Sequence, residues 1–425
     1  MLTNQLHFAP ERDAEIFAAA APAPAVFLLR GREPGEPYVS KTANLRRRLI
    51  RLLAAPEDRS RKLSLRDRVS SVEYALTGSD FESGLLLYHV LRREFPKTYA
   101  KRLRLRPAPL VRLILENQYP RATVTTRIAT LRGRSLYYGP FPSRAAAEKF
   151  ASDSLDFFKM RRCVDDLHPD PQFPGCIYSE MKMCLAPCFK GCTDAEYQAE
   201  VARVQAFFDS GGRSLVRDMA AQRDAASQNL EFEAAAAIHM RIEKLTPVLG
   251  QLPEIVRRID HLAGVVVQPS AEPDCVNLFR IEKGRLSAPI IFPLQHGAPA
   301  APEFGAVGRK PLSMEARVTE ALAAAPPFPA ASAQETMEQL AYLKRWYYRT
   351  NKVGEIFFAN SAGASGTPDF GVRGWHGDLP LRRIVRGISR VFRGERPAGE
   401  LSETARDYWI NRGKAAGLNP EDYNV

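Results

Sequence analysis

The segment from Cys163 to Cys192 constrains the fold more than any other stretch, because it holds five of the six cysteines of the chain. Cys163, Cys176, Cys184 and Cys188 are separated by twelve, seven and three residues, and Cys192 follows after three more. In a protein without an export signal, thiols this close together are more often metal or iron–sulfur ligands than disulfide partners. Proline and glycine are frequent between them, which predicts a loop that a bound metal would stabilise.

The spacing of these cysteines leaves the bound group open. Thiolates are soft donors that suit both zinc and iron–sulfur clusters. Neither CxxC pair of a zinc ribbon is present, so spacing alone does not choose between the two. A third interpretation is a set of buried free thiols, since cysteine is common in protein cores. The sequence assigns no role to Cys192, either as a ligand or as an idle thiol.

The charge of the chain indicates a polyanionic partner. Its 60 lysine and arginine residues outnumber its 48 acidic residues, for a net charge of +12. Basic residues are concentrated in two runs, 46–68 and 92–106, and such clustering is typical of nucleic-acid binding. The alternative explanation of the net charge is an arginine-rich proteome. With 425 residues the chain is long enough for two to four domains.

Neither a signal peptide nor a membrane span is predicted. The apolar run near the start follows acidic residues and is interrupted by Pro22 and Pro24. No stretch approaches the roughly 18 uninterrupted apolar residues that a membrane span needs. We therefore expect a cytoplasmic protein without a membrane partner, in which thiols stay reduced and available to metal.

Residues 22–53 predict a β-hairpin followed by a basic helix. AVFLL and PYVSK are typical strands on either side of a turn rich in glycine and proline. TANLRRRLIRLL then has helical spacing, with Leu45, Leu49 and Leu52 on one face and arginines on the other. Thr42 is the expected N-cap. This arrangement would present a basic helix to a phosphate backbone.

Five segments of the sequence allow a comparison with a known family. They are PAVFLLRGREPGEPYVSKTANLRRRL, TGSDFESGLLLYHVLRREFP, the pair YPRATVTTR and SLYYGPFPS, the four-cysteine spacing, and NLEFEAAAAIHMRIEKL. In this order they resemble the GIY-YIG nuclease motif, the helix after it, the next segment, the iron–sulfur site and the UvrB-binding motif of the UvrC family. UvrC is the incision subunit of bacterial nucleotide excision repair. The resemblance covers about residues 22–250 well and 251–295 weakly.

The resemblance and the sequence patterns together predict an α+β multidomain fold. Its parts are a small GIY-YIG-type α/β domain, a cysteine-bound loop, a helical hairpin, a small β domain and a mixed C-terminal segment. We place the bounds at 1–21 (N-terminal extension), 22–106 (GIY-YIG-like domain), 107–195 (α/β segment with the cysteines), 196–250 (helical region with the hairpin), 251–295 (β segment), 296–335 (Ala/Pro-rich linker) and 336–425 (C-terminal segment). The resemblance also implies an iron–sulfur cluster, of the 4Fe–4S type, on Cys163, Cys176, Cys184 and Cys188, with zinc as the alternative.

The nuclease motif is only partly retained. A GIY-YIG centre uses tyrosines and an arginine around the scissile phosphate, and one glutamate that holds a divalent metal. The matching positions in this sequence are Tyr38, Lys41 and Arg48. The substituted positions are Phe27 for the first tyrosine, Tyr88 for the metal-binding glutamate and Ala100 for an asparagine.

The substitution at position 88 predicts a lost or impaired nuclease. Mg²⁺ prefers carboxylate oxygen in octahedral geometry, and a neutral phenol is a poor substitute. Without the ion, the charge on the leaving oxygen is not neutralised. Glu82 and Glu94 lie six residues on either side of Tyr88, and on a helix they point roughly 120° away. The alternative is an active centre with a relocated carboxylate, in which case Mg²⁺ would be a cofactor.

Loss of the metal ligand leaves DNA binding possible. Lys41, Arg46, Arg47 and Arg48 are candidate phosphate contacts, which carry no sequence information. For Arg46 and Arg47 a solvated helix face is an equally good interpretation. Arg48 has the better case, because the family register places it facing the phosphate.

Residues 214–248 predict two antiparallel helices joined near Asn229. Their alanine-rich faces suit close helix packing, but two short helices bury little surface alone. By resemblance this hairpin binds UvrB, with Phe232 at the contact. The alternative is a hairpin packed on its own chain. Upstream, Tyr137, Tyr138 and Phe141 are expected in a core rather than stacked on bases.

The C-terminal third is predicted to be mixed. Residues 255–294 alternate as β-strands, and after the linker QETMEQLAYLKRWYYRT is a helix, GEIFFA a strand and LPLRRIVRGISRVFRGERP a basic helix. This length is expected not to hold the complete RNase H-like domain that UvrC proteins carry. Arg382, Arg386, Arg390 and Arg393 are expected on one helix face, with no assigned role.

Three functions remain open from the sequence. The main hypothesis is a UvrC-like DNA-binding protein of nucleotide excision repair that contacts UvrB and has lost or impaired incision activity. The first alternative is an active single-incision endonuclease with a non-standard metal ligand. The second is an interaction module that binds UvrB and barely touches DNA.

Overall fold

The computed structural model describes residues 2–55, 64–129, 133–164, 167–294, 312–360 and 379–395. The strands are β1 (Asn4–His7), β2 (Ala25–Gly31), β3 (Tyr38–Thr42), β4 (Val69–Leu76), β5 (Leu110–Ile114), β6 (Arg121–Thr125), β7 (Leu136–Gly139), β8 (Arg257–Arg258), β9 (Gly264–Pro269), β10 (Cys275–Glu282), β11 (Arg285–Leu286), β12 (Ile290–Pro293) and β13 (Glu355–Phe358). The helices are α1 (Asp13–Ala19), α2 (Leu45–Leu53), α3 (Asp80–Glu94), α4 (Tyr99–Leu103), α5 (Arg144–Leu155), α6 (Ile177–Glu180), α7 (Asp194–Asp209), α8 (Arg213–Gln228), α9 (Phe232–Gly250), α10 (Met314–Ala324), α11 (Ala333–Tyr347) and α12 (Leu381–Phe392). The predicted α+β multidomain class is confirmed.

The N-terminal domain is an antiparallel sheet in the order β1-β4-β2-β3, with helices on both faces. The predicted hairpin and basic helix are present as β2, β3 and α2. Leu45, Leu49 and Leu52 are buried under the sheet, as their helical spacing predicts. The N-cap is Asn44 rather than Thr42, because the Asn44 side chain accepts the Arg47 N–H over 2.9 Å. Thr42 instead hydrogen-bonds the Asn44 backbone and shapes the turn before the helix.

Helix α3 joins this domain to the rest of the molecule. One of its faces packs Val90 against Val26 and Leu28 of the sheet. Its opposite face buries Phe81 and Tyr88 in the main core of the protein. The two faces follow from the 3.6-residue period of an amphipathic helix with apolar residues on both sides. Tyr88 therefore points away from the N-terminal sheet.

The middle of the chain forms a second antiparallel sheet, in the order β6-β5-β7-β8. Tyr137, Tyr138 and Phe141 are buried in it, which confirms the core interpretation of these aromatic residues. The Tyr138 hydroxyl donates to Oδ1 of Asp209 at the end of α7, over 2.9 Å. Burial raises the pKa of Tyr138 well above its usual value, and Asp209 raises it further. This sheet carries the cysteine loop on the side of α5 and α7.

Helices α8 and α9 form the predicted hairpin, with the turn after Asn229. Leu215 and Met219 of α8 and Leu245 of α9 are buried at its base. Leu230 at the tip has a left-handed backbone, with φ of 62°, which reverses the chain between the two helices. The base of the hairpin is thus anchored in the core, and its tip projects from it.

The C-terminal part forms a third sheet in the order β11-β10-β9-β13, with β12 paired to β10. We predicted residues 251–295 and 336–425 as separate segments, but β13 pairs with β9 through Glu355 opposite Val267. Helices α10 and α12 cover one face of this sheet and α11 covers the other. The pairing joins strands almost ninety residues apart, which no local pattern indicates.

Some predictions fall outside the described residues. These are 56–63 of the first basic run, 296–311 of the predicted linker, and 361–378 and 396–425 of the C-terminal segment. Where the linker is described, it contains the helix α10. No helix in the described part of the chain is long and apolar enough to cross a bilayer.

Candidate functional site

Tyr38 and Arg48 form a contact pair on the α2 side of the N-terminal sheet. Arg48 Nη2 donates a hydrogen bond to the Tyr38 hydroxyl over 2.8 Å. Arg48 Nε is buried without a hydrogen-bond partner, and no carboxylate in the described ranges pairs with this guanidinium. A guanidinium with unused donors is suited to bind a phosphate oxygen. These two residues are the part of the predicted remnant set that the structure brings together.

Phe27 lies beside this pair but adds no polar group. Its side chain is fully buried, and its ring centroid is 6.0 Å from that of Tyr38. The ring packs in the apolar layer between the sheet and α2. The first tyrosine position of the motif therefore serves packing only.

Lys41 leaves β3 on the opposite face from Tyr38. Neighbouring side chains alternate across a strand, so residues three apart point to opposite faces. Lys41 accordingly contacts Asp80 at the start of α3. Asp80 also accepts a hydrogen bond from Nη1 of Arg349 over 2.6 Å. Lys41 is thus separated from the Tyr38–Arg48 pair by the thickness of the strand.

The two other predicted DNA contacts differ from each other. Arg46 Nε and Nη2 donate to the carbonyls of Ala20 and Ala18, over 2.8 and 2.9 Å. These carbonyls lie in the last turn of α1 and at its C-cap, where the helix leaves acceptors unpaired, and Arg46 supplies their donors. Arg47 is exposed, with its side chain directed to solvent. Of the two, Arg47 is the one whose side chain is accessible to a partner.

Tyr88, at the expected glutamate position, is engaged by the C-terminal part of the chain. Its side chain is 2% exposed, and its hydroxyl donates to Oε2 of Glu338 on α11 over 2.9 Å. Tyr99 donates to Oε1 of the same carboxylate over 2.8 Å. Gln334 also donates to Oε1, over 2.9 Å, and Arg92 donates to the Tyr88 oxygen over 3.2 Å. The carboxylate and both phenols are thus joined in one hydrogen-bond network with Gln334 and Arg92.

The electrostatics of Tyr88 keep its phenol protonated. Burial raises its pKa far above the ordinary value, and the negative charge of Glu338 raises it further. A neutral hydroxyl that already donates to a carboxylate has little capacity left for a cation. Ala100, at the expected asparagine position, is an exposed residue of α4 with only a methyl group to offer.

The sequence analysis missed Glu338, Asp80 and Arg349. Glu338 occupies an ordinary position in a helical pattern, 250 residues from its partner Tyr88. Asp80 looks like a first-turn acid that complements the helix dipole. No local signal identifies any of the three. Within the described ranges, no three His, Cys, Asp or Glu side chains are gathered so as to hold one metal ion.

The cysteine loop has a repeated backbone feature. Lys182, Ala186 and Lys190 all adopt left-handed backbone conformations, with φ of 55°, 56° and 58°. Each stands two residues before a cysteine, at positions 184, 188 and 192. Such conformations cost non-glycine residues about 1 kcal/mol each and persist only where the surroundings determine them. The repeat turns the chain sharply before each of the last three thiols.

The predicted ligands affect the pKa of two of their number, Cys184 and Cys188. Burial raises the pKa of Cys184 to about 11; the Ala186 N–H, 3.3 Å from Sγ, lowers it, and Cys163, Cys188 and Cys176 raise it again. The pKa of Cys188 is likewise raised, first by burial and then by Cys176. These four thiols therefore lie within electrostatic range of each other.

Cys192 and Arg161 complete the surroundings of the loop. Burial raises the pKa of Cys192, and Glu196 and Asp194 raise it further, with Cys188 the weakest influence. Cys192 packs at the border of the main core, on the side of α7. The buried Arg161 donates from Nη1 to Cys163 Sγ over 3.3 Å. A buried cation beside this thiol complements the negative charge that thiolate ligands bring.

Phe232 lies at the start of α9, next to the tip of the hairpin. Its side chain is 63% exposed, and Leu230 at the tip is also exposed. Met240, two turns further along α9, is a third exposed apolar side chain. Exposed large apolar residues on one element indicate an interaction surface.

Comparison with known proteins identifies the middle of the chain. A family model described as the UvrC/Cho excinuclease middle domain matches residues 110–207. This range contains β5, β6 and β7 of the second sheet, the cysteine loop and most of α7. This part of the chain belongs to the UvrC/Cho middle-domain family. The UvrABC system protein C of Carboxydothermus hydrogenoformans is 28% identical to it over 265 residues, which cover 62% of this chain and 43% of that relative.

Other UvrC relatives show the same extent of similarity. The UvrABC system protein C of Alcanivorax borkumensis is 29% identical over 226 residues, 53% of this chain and 37% of the relative. That of Methanothermobacter thermautotrophicus is 25% identical over 275 residues, 64% of this chain and 46% of the relative. The chain thus spans less than half the length of these UvrC proteins. No solved structure matches the chain.

Proposed function

We propose that this UvrC-family chain binds DNA and UvrB in nucleotide excision repair without cutting the DNA. The observation that carries the proposal is the Tyr88–Glu338 contact. At the position where the family resemblance expects a metal-binding carboxylate, the chain has a buried phenol that donates to another residue. A divalent ion needs anionic oxygen ligands there, and the protonated phenol supplies none.

DNA binding is supported by Arg48 and Arg47. Arg48 is oriented by Tyr38 and has donors to spare, and Arg47 is exposed one residue earlier on the same helix. Guanidinium groups bind phosphate oxygens by charge and by paired N–H donors. Contacts of this kind hold the DNA backbone without reading its sequence. Damage selection in this proposal is left to the partner.

UvrB binding is supported by the hairpin of residues 214–248. The tip exposes Leu230 and Phe232, and Met240 continues the apolar surface. Helical hairpins bury such residues by pairing with another helical element. Phe232 is the anchor in this proposal, because buried aromatic residues dominate binding energies at interfaces.

We also propose an iron–sulfur cluster on Cys163, Cys176, Cys184 and Cys188. The four thiols fit this group because they share one loop and influence each other electrostatically. In a four-iron cluster each thiolate binds a different iron, so the sulfurs lie further apart than the ligands of one zinc ion. A bound cluster would cross-link the loop and supply one-electron redox chemistry. Cys192, nearest to α7, is left out of the ligand set.

The test combines DNA binding with DNA cleavage. Purified protein is incubated with damaged duplex DNA, with and without UvrB, in Mg²⁺ or Mn²⁺. We expect salt-dependent binding and no cation-dependent nick, and we expect Arg48→Ala to weaken binding. The matched control is Arg383→Gln, which removes an exposed arginine of α12. A cation-dependent nick that Arg48→Ala abolishes would establish the active endonuclease instead.

The same experiment separates the pure interaction module. When binding involves phosphate contacts, the logarithm of the association constant falls linearly with the logarithm of the salt concentration, because counterions are released. A protein that binds UvrB through the hairpin but shows no such slope with bare DNA is an interaction module.

A further inference from the structure

A shallow pocket of about 120 Å³ lies where α11 crosses α3 and α4. Its charged lining comes from three separate parts of the chain. Lys41 belongs to β3, Asp80 to α3 and Arg102 to α4, whereas Arg345 and Arg349 come from α11 and the residues just after it. The pocket has room for a phosphate group and several waters. It lies on the face of β3 opposite to the Tyr38–Arg48 pair.

Asp80 holds two of the cations in place. It accepts from Lys41 and from Arg349, the latter over 2.6 Å. Burial raises the pKa of Asp80, but the hydrogen bonds from Lys41 and Arg349 outweigh it and lower the pKa overall. The carboxylate therefore stays charged and orients both side chains, and one negative charge is set against two positive ones.

The remaining charges leave the pocket positive. Arg102 pairs with Glu36 over 2.6 Å at the rim, where Glu36 is largely exposed. Arg345 is exposed, and no carboxylate in the described part of the chain pairs with it. Next to the pocket, burial lowers the pKa of Lys344, and the positive charge of Arg106 lowers it further. An anionic ligand would offset the repulsion between cations that lie this close together.

The wall of the pocket that α11 forms is fixed by packing. Gly84 lets α11 approach α3 closely, since a Cβ at this position would lie 2.6 Å from the Tyr342 hydroxyl oxygen. That hydroxyl donates to the carbonyl of Phe81. The Trp346 ring lies against the Phe81 ring, with centroids 5.1 Å apart. Arg345 and Arg349 are therefore held at a set distance from Lys41.

We propose that this pocket binds a phosphate of the DNA backbone, so that α11 extends the DNA-binding surface to the second face of β3. The inference rests on the proposed DNA binding and adds a site that the N-terminal motif does not contain. Guanidinium groups bind phosphate by paired donors, and Arg345 is a cation of the pocket lining that makes no ion pair within the described residues. Arg48 and the pocket would then grip the backbone on both sides of the edge strand.

The test measures duplex DNA affinity of the full chain against salt concentration. Arg345→Gln removes the charge and keeps helix propensity, because glutamine and arginine are similar helix formers. We expect roughly threefold to tenfold weaker binding at about 0.1 M salt, with a log–log slope smaller by about 0.9. Arg383→Gln, the same change on α12, is expected to leave both quantities unchanged.

The outcomes distinguish this site from DNA binding itself. If the unaltered protein shows no salt-dependent DNA binding, the proposed function fails. If it binds, and Arg48→Ala weakens binding while Arg345→Gln behaves like Arg383→Gln, only the pocket proposal is overturned. An effect of Arg345→Gln on duplex RNA but not on duplex DNA overturns it as well.

Discussion

The hydroxyl of Tyr88 on α3 donates a hydrogen bond to Oε2 of Glu338 on α11, 2.9 Å away. The contact ties the helix that should carry a nuclease metal ligand to a helix 250 residues later in the chain. Tyr99 and Gln334 complete the partners of that carboxylate. Position 88 is therefore built into the interface between the N-terminal domain and the C-terminal sheet. Restoring a glutamate there would place it against a carboxylate rather than in an open centre.

Tyr88→Glu is accordingly expected to destabilise the protein without creating a nuclease. The new carboxylate would face Glu338, and like charges in a buried site raise each other's pKa and oppose folding. We expect a loss of about 1–3 kcal/mol in the free energy of unfolding, measured by urea titration. Adding Glu338→Gln should recover part of it. An equally stable Tyr88→Glu variant that nicks DNA with Mg²⁺ would contradict this account.

Asp80 makes the contact between the N-terminal domain and α11 sensitive to acid. Its pKa is lowered in the folded protein, so its contribution to stability is complete above the unfolded value of about 3.9 and disappears as pH falls through the folded value. We expect Asp80→Asn to lower stability at pH 7 and to have a progressively smaller effect below about pH 4. The side chain is 54% exposed, so solvent screening keeps the effect modest.

The control for this pH dependence is Asp224→Asn. Asp224 pairs with Arg223 on the exposed surface of the hairpin, away from the pocket. Urea unfolding at several pH values compares the two variants with the unaltered protein. An Asp80→Asn effect that grows towards low pH would have the wrong sign for the arrangement of Lys41 and Arg349 around this carboxylate.

The sequence predicts features that depend on neighbouring residues, and it misses those that depend on residues far apart in the chain. The spacing of Leu45, Leu49 and Leu52 predicted α2 correctly, because helical periodicity is a local property. The N-cap is Asn44 rather than the predicted Thr42, because two polar residues precede the helix two positions apart and it is the Asn44 side chain that accepts the Arg47 N–H. The joining of β13 to β9 depends on residues far apart in sequence. Local patterns carry no information about such pairings.

The candidate site divides in the same way. Family register placed Tyr38 and Arg48 together, and the structure agrees. Family register could not show that Arg46 donates to a carbonyl at the end of α1 or that Lys41 contacts Asp80. Both contacts depend on residues elsewhere in the fold. An arginine in a basic run is thus equally able to serve folding or binding until its neighbours are known.

The exposed tip of the hairpin predicts the effect of Phe232→Ala. If Phe232 anchors UvrB, its truncation should weaken that complex by roughly tenfold to thirtyfold, or about 1.4–2 kcal/mol. The stability of the free protein should hardly change, because the side chain is 63% exposed. The matched control is Phe392→Ala, which truncates an exposed phenylalanine of α12. Equal UvrB affinity for both variants, measured by titration calorimetry, would remove Phe232 from the interface.

The cysteine loop predicts different outcomes for two thiols eight residues apart. Burial raises the pKa of both thiols. The charged neighbours that raise it further are the three other predicted ligands for Cys184, but chiefly Glu196 and Asp194 for Cys192. We expect anaerobically purified protein to be brown, Cys184→Ser to lose the iron and the colour, and Cys192→Ser to keep both. Cys275→Ser on β10 controls for thiol loss away from the loop.

Metal analysis and visible absorption of the three variants read out this prediction directly. Iron and sulfide retained in Cys184→Ser but lost in Cys192→Ser would assign the ligands differently. A colourless protein with one zinc per chain would replace the cluster by a zinc site, although no such tight group of ligands occurs within the described ranges. Loss of the cluster should also destabilise the loop, because the strained backbone at Lys182 and Ala186 would no longer be fixed by bound thiolates. Faster proteolysis between Cys163 and Cys192 in Cys184→Ser, but not in Cys275→Ser, would show that the bound group holds this segment in shape.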